Sequence, residues 1–221
     1  MRNFIRENMV YFVVGENNMS IIFSSRIRTM GSRVIGFVLA FIIAFSFGLW
    51  HDTFPLIEHL LWLLGWFLVG IGAMGRIWCS IYILGHKNAK LVMDGPYSIC
   101  RNPLYFFSFL AALGIMFLTE TLFFPVAFSL FFLVYYYFVI RQEERFLRKK
   151  FDQLYLNYTQ TTPRFWPSFK NYSEPQYCQV SSKHFRLFLA QVIWFFWVAA
   201  FVQLFEELRL LGVFPIYFNM F

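Results

Sequence analysis

Five long apolar stretches alternate with polar blocks along this chain, at about 33 to 50, 56 to 84, 103 to 118, 122 to 140 and 186 to 205. A helix that crosses a bilayer needs roughly 20 mostly apolar residues. The pattern therefore predicts an all-α, polytopic integral membrane protein with about five transmembrane helices. The third stretch is short, running from Pro103 to the Thr119-Glu120-Thr121 turn. With the fourth it forms a helical hairpin whose tip barely leaves the membrane. The second is long enough to tilt or to project beyond the bilayer.

Two polar blocks interrupt the pattern, Lys90 to Tyr105 and Arg141 to Pro167. In the first, Asp94-Gly95-Pro96 is a turn signal. Asn102-Pro103 before an apolar run predicts a helix start, with Asn102 as N-cap and Pro103 at the first helical position. Free N–H groups and the positive end of the helix dipole then face Arg101, a geometry that suits an anion. Arg101 strengthens it, since a guanidinium holds a carboxylate bidentately. The plainer roles are a capping asparagine and an arginine that snorkels to lipid phosphate. In the second block Glu143, Leu147, Phe151, Leu154, Tyr155 and Tyr158 recur at three- and four-residue intervals among basic residues. That spacing predicts an amphipathic helix continuing from the fourth span along the membrane surface. Glu143 and Glu144 sit where a helix terminus and anionic lipid both disfavour negative charge, so they call for a cationic or hydroxyl-bearing partner.

Composition agrees with the membrane class: 59% of residues are hydrophobic, 32 are Phe and only 14% are charged, which excludes a soluble domain of this length. Charge then orients the chain. Lys and Arg gather before the first span, between the second and third, and between the fourth and fifth, whereas the opposite loops carry Asp52, Glu58 and Glu120. By the positive-inside rule both polar blocks face the cytoplasm. The net charge of +7 is accounted for by topology and anionic lipids, with no nucleic acid needed. Three cysteines give no disulfide framework, and His51, His59, His86 and His184 are too scattered for zinc-ligand spacing. Arg76 is the one charge well inside a span, about 12 Å from its cytoplasmic end. An intramembrane arginine points to function, although snorkelling and tilt bring it within reach of the surface. Gly70, Gly72 and Gly75 in the same span permit close helix packing. The chain divides into an interfacial or poorly ordered segment (1–32), a membrane core (33–167), a cytoplasmic linker (168–185) and an additional span with a tail (186–221).

Leu-Val-x-x-Gly-Pro-Tyr-x-x-x-Arg-Asn-Pro-Leu-Tyr, from Leu91 to Tyr105, is followed by the hairpin. Then come Glu-Glu-x-x-Leu-x-x-x-Phe-x-x-x-Tyr-x-x-Tyr from Glu143 and a closing Pro-Arg-Phe-x-Pro from Pro163. Over about residues 75 to 167 this order and spacing resembles the isoprenylcysteine carboxyl methyltransferase family and its phospholipid methyltransferase relatives. Two departures stand out. The family often has His before the Leu-Val pair, where this chain has Ala89 and Lys90, and usually Arg-His-Pro where this chain has Arg101-Asn102-Pro103.

The resemblance implies a membrane methyltransferase that uses S-adenosylmethionine without the soluble Gly-rich dinucleotide fold. It implies a cofactor pocket lined by Leu91, Val92, Gly95, Tyr97, Arg101, Asn102, Pro103, Tyr105, Glu143 and Glu144, with Arg101 and Glu144 as catalytic residues. One glutamate would accept hydrogen bonds from the ribose or the amino group; Arg101 would hold the cofactor's carboxylate or steer the acceptor. The expected partners are membrane lipids and a lipophilic or lipidated acceptor. Transfer to a carboxylate is the first expectation, and phospholipid or amine N-methylation or thiol S-methylation the second. A sterol-reductase-like oxidoreductase and a non-catalytic scaffold are the alternatives of another class.

Overall fold

A computed structural model of the chain describes residues 46–48, 54–84, 90–178, 180–213 and 218–220. The segment 1–32, nearly all of the first apolar stretch, Ala89, His51 and His86 lie outside the described residues. Helices α1 (Pro55–Ile83), α2 (Pro96–Ile99), α3 (Pro103–Phe117), α4 (Phe123–Thr161) and α5 (Ser182–Leu210) account for most of what is described, with a 3-10 turn at Phe169–Asn171. The only strands among the described residues are β1 (Ser46–Gly48) and β2 (Phe218–Met220), three residues each, which pair in parallel. Helices α1 and α4 and the His184–Leu208 part of α5 are long and apolar enough to cross a membrane; α3 is apolar but shorter. At 15 residues α3 covers about 22 Å, less than a bilayer's hydrocarbon thickness of about 30 Å. The tight Thr119–Thr121 turn that joins it to α4 carries Glu120 at φ 55°.

Apolar side chains on α1 (Leu56, Leu60, Leu63, Phe67), α4 (Val126, Leu130, Val134, Phe138) and α5 (Trp194, Trp197, Phe201) are exposed. In water such a surface would be an aggregation hazard; facing lipid, it is what a spanning helix requires. The inward faces follow a different rule. Lipid tails give apolar side chains no reason to prefer each other, so helices in a membrane hold together by close backbone approach. At Gly72 a Cβ would lie 2.4 Å from the backbone N of Ala111 on α3, and at Gly114 it would lie 2.6 Å from the carbonyl of Gly65 on α1. Gly75 likewise admits the Phe107 ring, but nothing approaches a Cβ at Gly70 within 4 Å. Gly70 therefore takes no part in the packing expected of it, because it faces away from α3. Helix α5 crosses α1 through Phe188 and Val192 against Ala73, and α3 meets α4 through Phe109 with Phe132 and Tyr105 with Tyr136.

The amphipathic continuation of the fourth span is present and breaks once. Asp152 has φ 40° and ψ −115°, so α4 is two helices joined at a kink. With that ψ it lies outside the left-handed helical region in which aspartate is commonly found, so the kink is a strained conformation. Beyond the kink the chain turns back, packing Tyr155 and Tyr158 around Leu91. Asn102 holds the N-cap position of α3 but its side chain makes no capping bond. Its amide donates instead to the Arg164 carbonyl at 2.9 Å, because a buried loop carbonyl needs a donor more than a helix end already shortened by Pro103 does.

Candidate active site

The polar end of the α3–α4 hairpin is built on the Asp94-Gly95-Pro96 turn. Gly95 has φ 60°, and a Cβ there would lie 2.3 Å from the Tyr82 ring, so only glycine fits on both counts. The Ser98 hydroxyl closes the turn onto the Gly95 carbonyl at 2.6 Å. The chain after α4 then runs back along this loop. Arg101 N–H donates to the Pro163 carbonyl, Ser168 N–H to the Ile99 carbonyl, each at 2.9 Å, and Gly95 N–H to the Ser173 carbonyl at 2.7 Å. Burial pushes the Cys100 thiol up to about 12, so it stays protonated and donates to the Phe165 carbonyl at 3.0 Å. Residues 163–173, straddling the expected linker boundary, are thereby strapped to the 94–101 loop, which delivers Arg164 to the site.

Glu144 is met from two sides. Arg101 Nη2 lies 3.2 Å from Oε1, and Arg164 reaches Oε2 through Nη2 at 2.5 Å and Nε at 2.9 Å. Arg101 and Glu144 keep only 13% and 11% of their side-chain surface exposed, while Arg164 keeps 43%. Glu143, one residue round the helix, receives the Tyr105 hydroxyl at 2.9 Å. Burial lifts its carboxyl to about 7; the Tyr105 hydrogen bond opposes the rise and the Glu144 charge adds to it. Tyr136 packs edge-on against Tyr105 at 5.1 Å and holds the phenol over Glu143.

The structure brings the sequence-derived candidates into connected groups. Arg101 and Glu144 pair with each other, Tyr105 with Glu143, and the Tyr97 carbonyl accepts from Tyr158 at 2.5 Å. Val92 packs against the cluster that contains Tyr97, Leu91 belongs to one with Tyr155, and Asn102 and Pro103 are buried where loop becomes helix. Arg164, Tyr136 and Tyr155 were not among the candidates. Arg164 stands in the closing Pro-Arg-Phe-x-Pro block and Tyr155 in the Tyr-x-x-Tyr end of the Glu-Glu motif, so their motifs were visible while their partners were not; Tyr136 had no signal beyond helical spacing.

Among the described residues, four buried polar atoms on these segments have no hydrogen-bond partner: Tyr97 Oη, Arg101 Nε, Glu144 Oε1 and Tyr155 Oη. Glu144 Oε1 lies within ion-pair distance of Arg101 but off the line of a hydrogen bond. Burial raises both phenols well above their ordinary range, keeping them neutral donors. Since buried polar groups nearly always find partners, donors and an acceptor left open on α2, α4 and the loop between α2 and α3 describe a site for a polar ligand.

A family model described as phospholipid methyltransferase matches residues 54–153. The cobalt-zinc-cadmium resistance protein CzcN of Cupriavidus metallidurans is 36% identical over 180 residues, covering 81% of this chain and 82% of its own length. The nickel-cobalt-cadmium resistance protein NccN of Alcaligenes xylosoxydans xylosoxydans is 32% identical over 177 residues, covering 80% and 82%. No solved structure matches. The family match takes in α1, the 94–101 loop, the hairpin and both glutamates, and stops at the α4 kink; Arg164 and α5 lie beyond it. With α1 and α4 of the matched region long and apolar enough to cross a bilayer, the chain belongs to the phospholipid methyltransferase family of membrane proteins.

Proposed function

We propose that the chain transfers a methyl group from S-adenosylmethionine to a lipophilic acceptor at the cytoplasmic face of the membrane, and that the acceptor atom is a carboxylate oxygen. The observation that carries this reading is the group of unsatisfied buried atoms around Arg101, Glu144, Tyr97 and Tyr155. The cofactor offers hydroxyls, an amino group and a carboxylate, which match an array holding both donors and an acceptor. Arg101 Nε would meet the cofactor's carboxylate, and the glutamates its hydroxyls or amino group. Asn102 and Arg164 position rather than bind, since Asn102 is committed to a backbone carbonyl and Arg164 to Glu144.

When bound, S-adenosylmethionine supplies a methyl already activated on a sulfonium. A carboxylate oxygen that takes it breaks the S–CH3 bond and leaves a methyl ester and S-adenosylhomocysteine, with no proton to remove. The protein's task is then alignment and exclusion of water. The aromatic wall of Phe109, Phe132, Tyr136 and Phe165 serves that end. The cytoplasmic orientation rests on the distribution of Lys and Arg. The curated relatives are named for metal resistance.

Detergent-purified protein should gain thermal stability from S-adenosylhomocysteine, on the order of 2.7 kcal/mol at a hundred times its dissociation constant. Membranes given methyl-labelled S-adenosylmethionine should yield a lipid-soluble product that loses volatile methanol in mild alkali. Alkali-stable label would replace the carboxylate by an amine or thiol acceptor. Stabilisation by a nicotinamide dinucleotide and none by S-adenosylhomocysteine would sink the methyltransferase reading.

A further inference from the structure

Arg76 lies on α1 about two turns below its polar end. Its Nη1 donates to the Ser108 hydroxyl on α3, which in turn donates to the Leu104 carbonyl at 2.5 Å. The guanidinium lies 5.4 Å from the Phe188 ring centre and 5.2 Å from that of Phe195, both on α5. Its Nε is buried without a partner, and among the described residues no carboxylate pairs with it. A guanidinium out of water loses more hydration than an aromatic face returns. The arginine therefore keeps an unpartnered Nε–H and, among the described residues, no counter-charge.

Its place relative to the candidate active site follows from α3. Ser108 and Tyr105 are three residues apart and share a face, so Arg76 is anchored about 4.5 Å deeper along the helix than the tyrosine that holds Glu143. Tyr136, packed on Tyr105, lies within electrostatic reach of Arg76. We propose that Arg76, walled by α5, is the binding site for the ionised carboxylate of a single-chain amphiphilic acid that enters from the bilayer. The carboxylate is thereby presented one helical turn beneath Glu143, and its apolar chain remains in lipid. An amine or an uncharged head would leave the arginine unpaired. The charge that selects an acid lies on α1, inside the matched family region, while both rings that wall it come from α5, beyond that region. The inference rests on the methyltransferase reading for the purpose of the site, but its test does not.

Protein in neutral detergent is titrated with dibromostearate and, separately, with its methyl ester, following quenching of tryptophan fluorescence, to which Trp78, two residues from Arg76, and Trp194, next to Phe195, contribute. The acid should quench saturably with at least tenfold higher affinity than the ester. Arg76→Gln should erase that difference, and Arg76→Lys should keep part of it. The S-adenosylhomocysteine stability shift should be unchanged in Arg76→Gln. Equal affinity for acid and ester in the unaltered protein would overturn the proposal, leaving Arg76 as a staple between helices. So would an acid preference that survives Arg76→Gln, or displacement of the acid by a lysophosphatidate at much lower concentration, which would make the site one for phosphate. If Arg76→Gln does not fold, the acid–ester ratio of the unaltered protein and the Lys variant decide. Absence of any S-adenosylhomocysteine shift in the unaltered protein would count against the methyltransferase reading alone.

Discussion

Two guanidiniums reach Glu144 at the polar end of the hairpin, while one turn deeper the partners of Arg76 among the described residues are a hydroxyl and two aromatic rings. The upper region has more charge and is nearly balanced: Glu144 offsets Arg101, and Arg164 spends part of its charge in water. The lower region has a single charge and no balance. Burial makes that difference matter, because an ion pair compensates desolvation only where both partners are present. A balanced cluster can hold shape before any ligand arrives. An unbalanced one marks where a ligand's own charge has been left a place.

The largest effect should come from breaking the balanced region. Glu144→Ala strips Arg101 of its carboxylate in a nearly closed site, and breaking a buried pair costs about 3–5 kcal/mol. Arg164 is exposed enough for water to screen its share, so a loss near the lower end, about 3 kcal/mol, is expected in detergent unfolding. Arg76→Gln orphans no carboxylate; it gives up one charge-assisted hydrogen bond and two ring contacts but also relieves the desolvation of an unpaired guanidinium, so its net cost should be smaller, about 1.5 kcal/mol. Equal losses in the two variants would mean that Arg76 has a protein counter-ion after all, and the contrast between the regions would fail.

How much of this was legible beforehand differs between the regions as well. Hydropathy located α1, α3, α4 and α5, because a bilayer imposes one length and one composition on whatever crosses it. The Arg-Asn-Pro and Glu-Glu motifs named most of the upper region. What they concealed were partnerships: Arg164 joins Glu144 only because the chain returns along the 94–101 loop, and that path depends on a kink at Asp152 that no periodicity announces. Asn102 satisfied every rule for a capping residue and was taken by a carbonyl 62 positions away. Arg76 was visible as an anomaly, but its surroundings were not, since Phe188 and Phe195 on α5 have no sequence relation to it.

The second effect separates the two glutamates. Glu143 has an ordinary value of 4.5 and is held near 7 in the folded protein. Between those limits the folded state retains a proton that the unfolded chain has lost, so the stability of the ligand-free protein should fall as pH rises from about 4.5 to 7. The fall should be at most on the order of 3 kcal/mol, since each unit is worth about 1.4 kcal/mol. Binding of S-adenosylhomocysteine should move the other way. An ionised Glu143 accepts hydrogen bonds that a protonated one accepts less well, so affinity should rise as pH passes about 7. Glu143→Gln should flatten both slopes. Parallel slopes, or opposite slopes that persist in the Gln variant, would remove Glu143 from the cofactor site.

The smallest effect tests the link between the regions, which is the face of α3 shared by Tyr105 and Ser108. Tyr105→Phe deletes the one hydroxyl bonded to Glu143. That bond favours the ionised carboxylate, so its loss should raise the midpoint of the binding profile further. With a net worth near 1 kcal/mol the rise should stay under one pH unit. Nothing in the change touches Ser108 or the two phenylalanines, so the preference of the protein for dibromostearate over its methyl ester should be unaltered. A midpoint that stays in place would mean that water takes over the tyrosine's bond as soon as it is vacated, and that the upper region is wetter than its burial implies. Loss of the acid preference would instead show the acceptor's head reaching up to Tyr105, merging into one site two regions that the distribution of charge keeps apart.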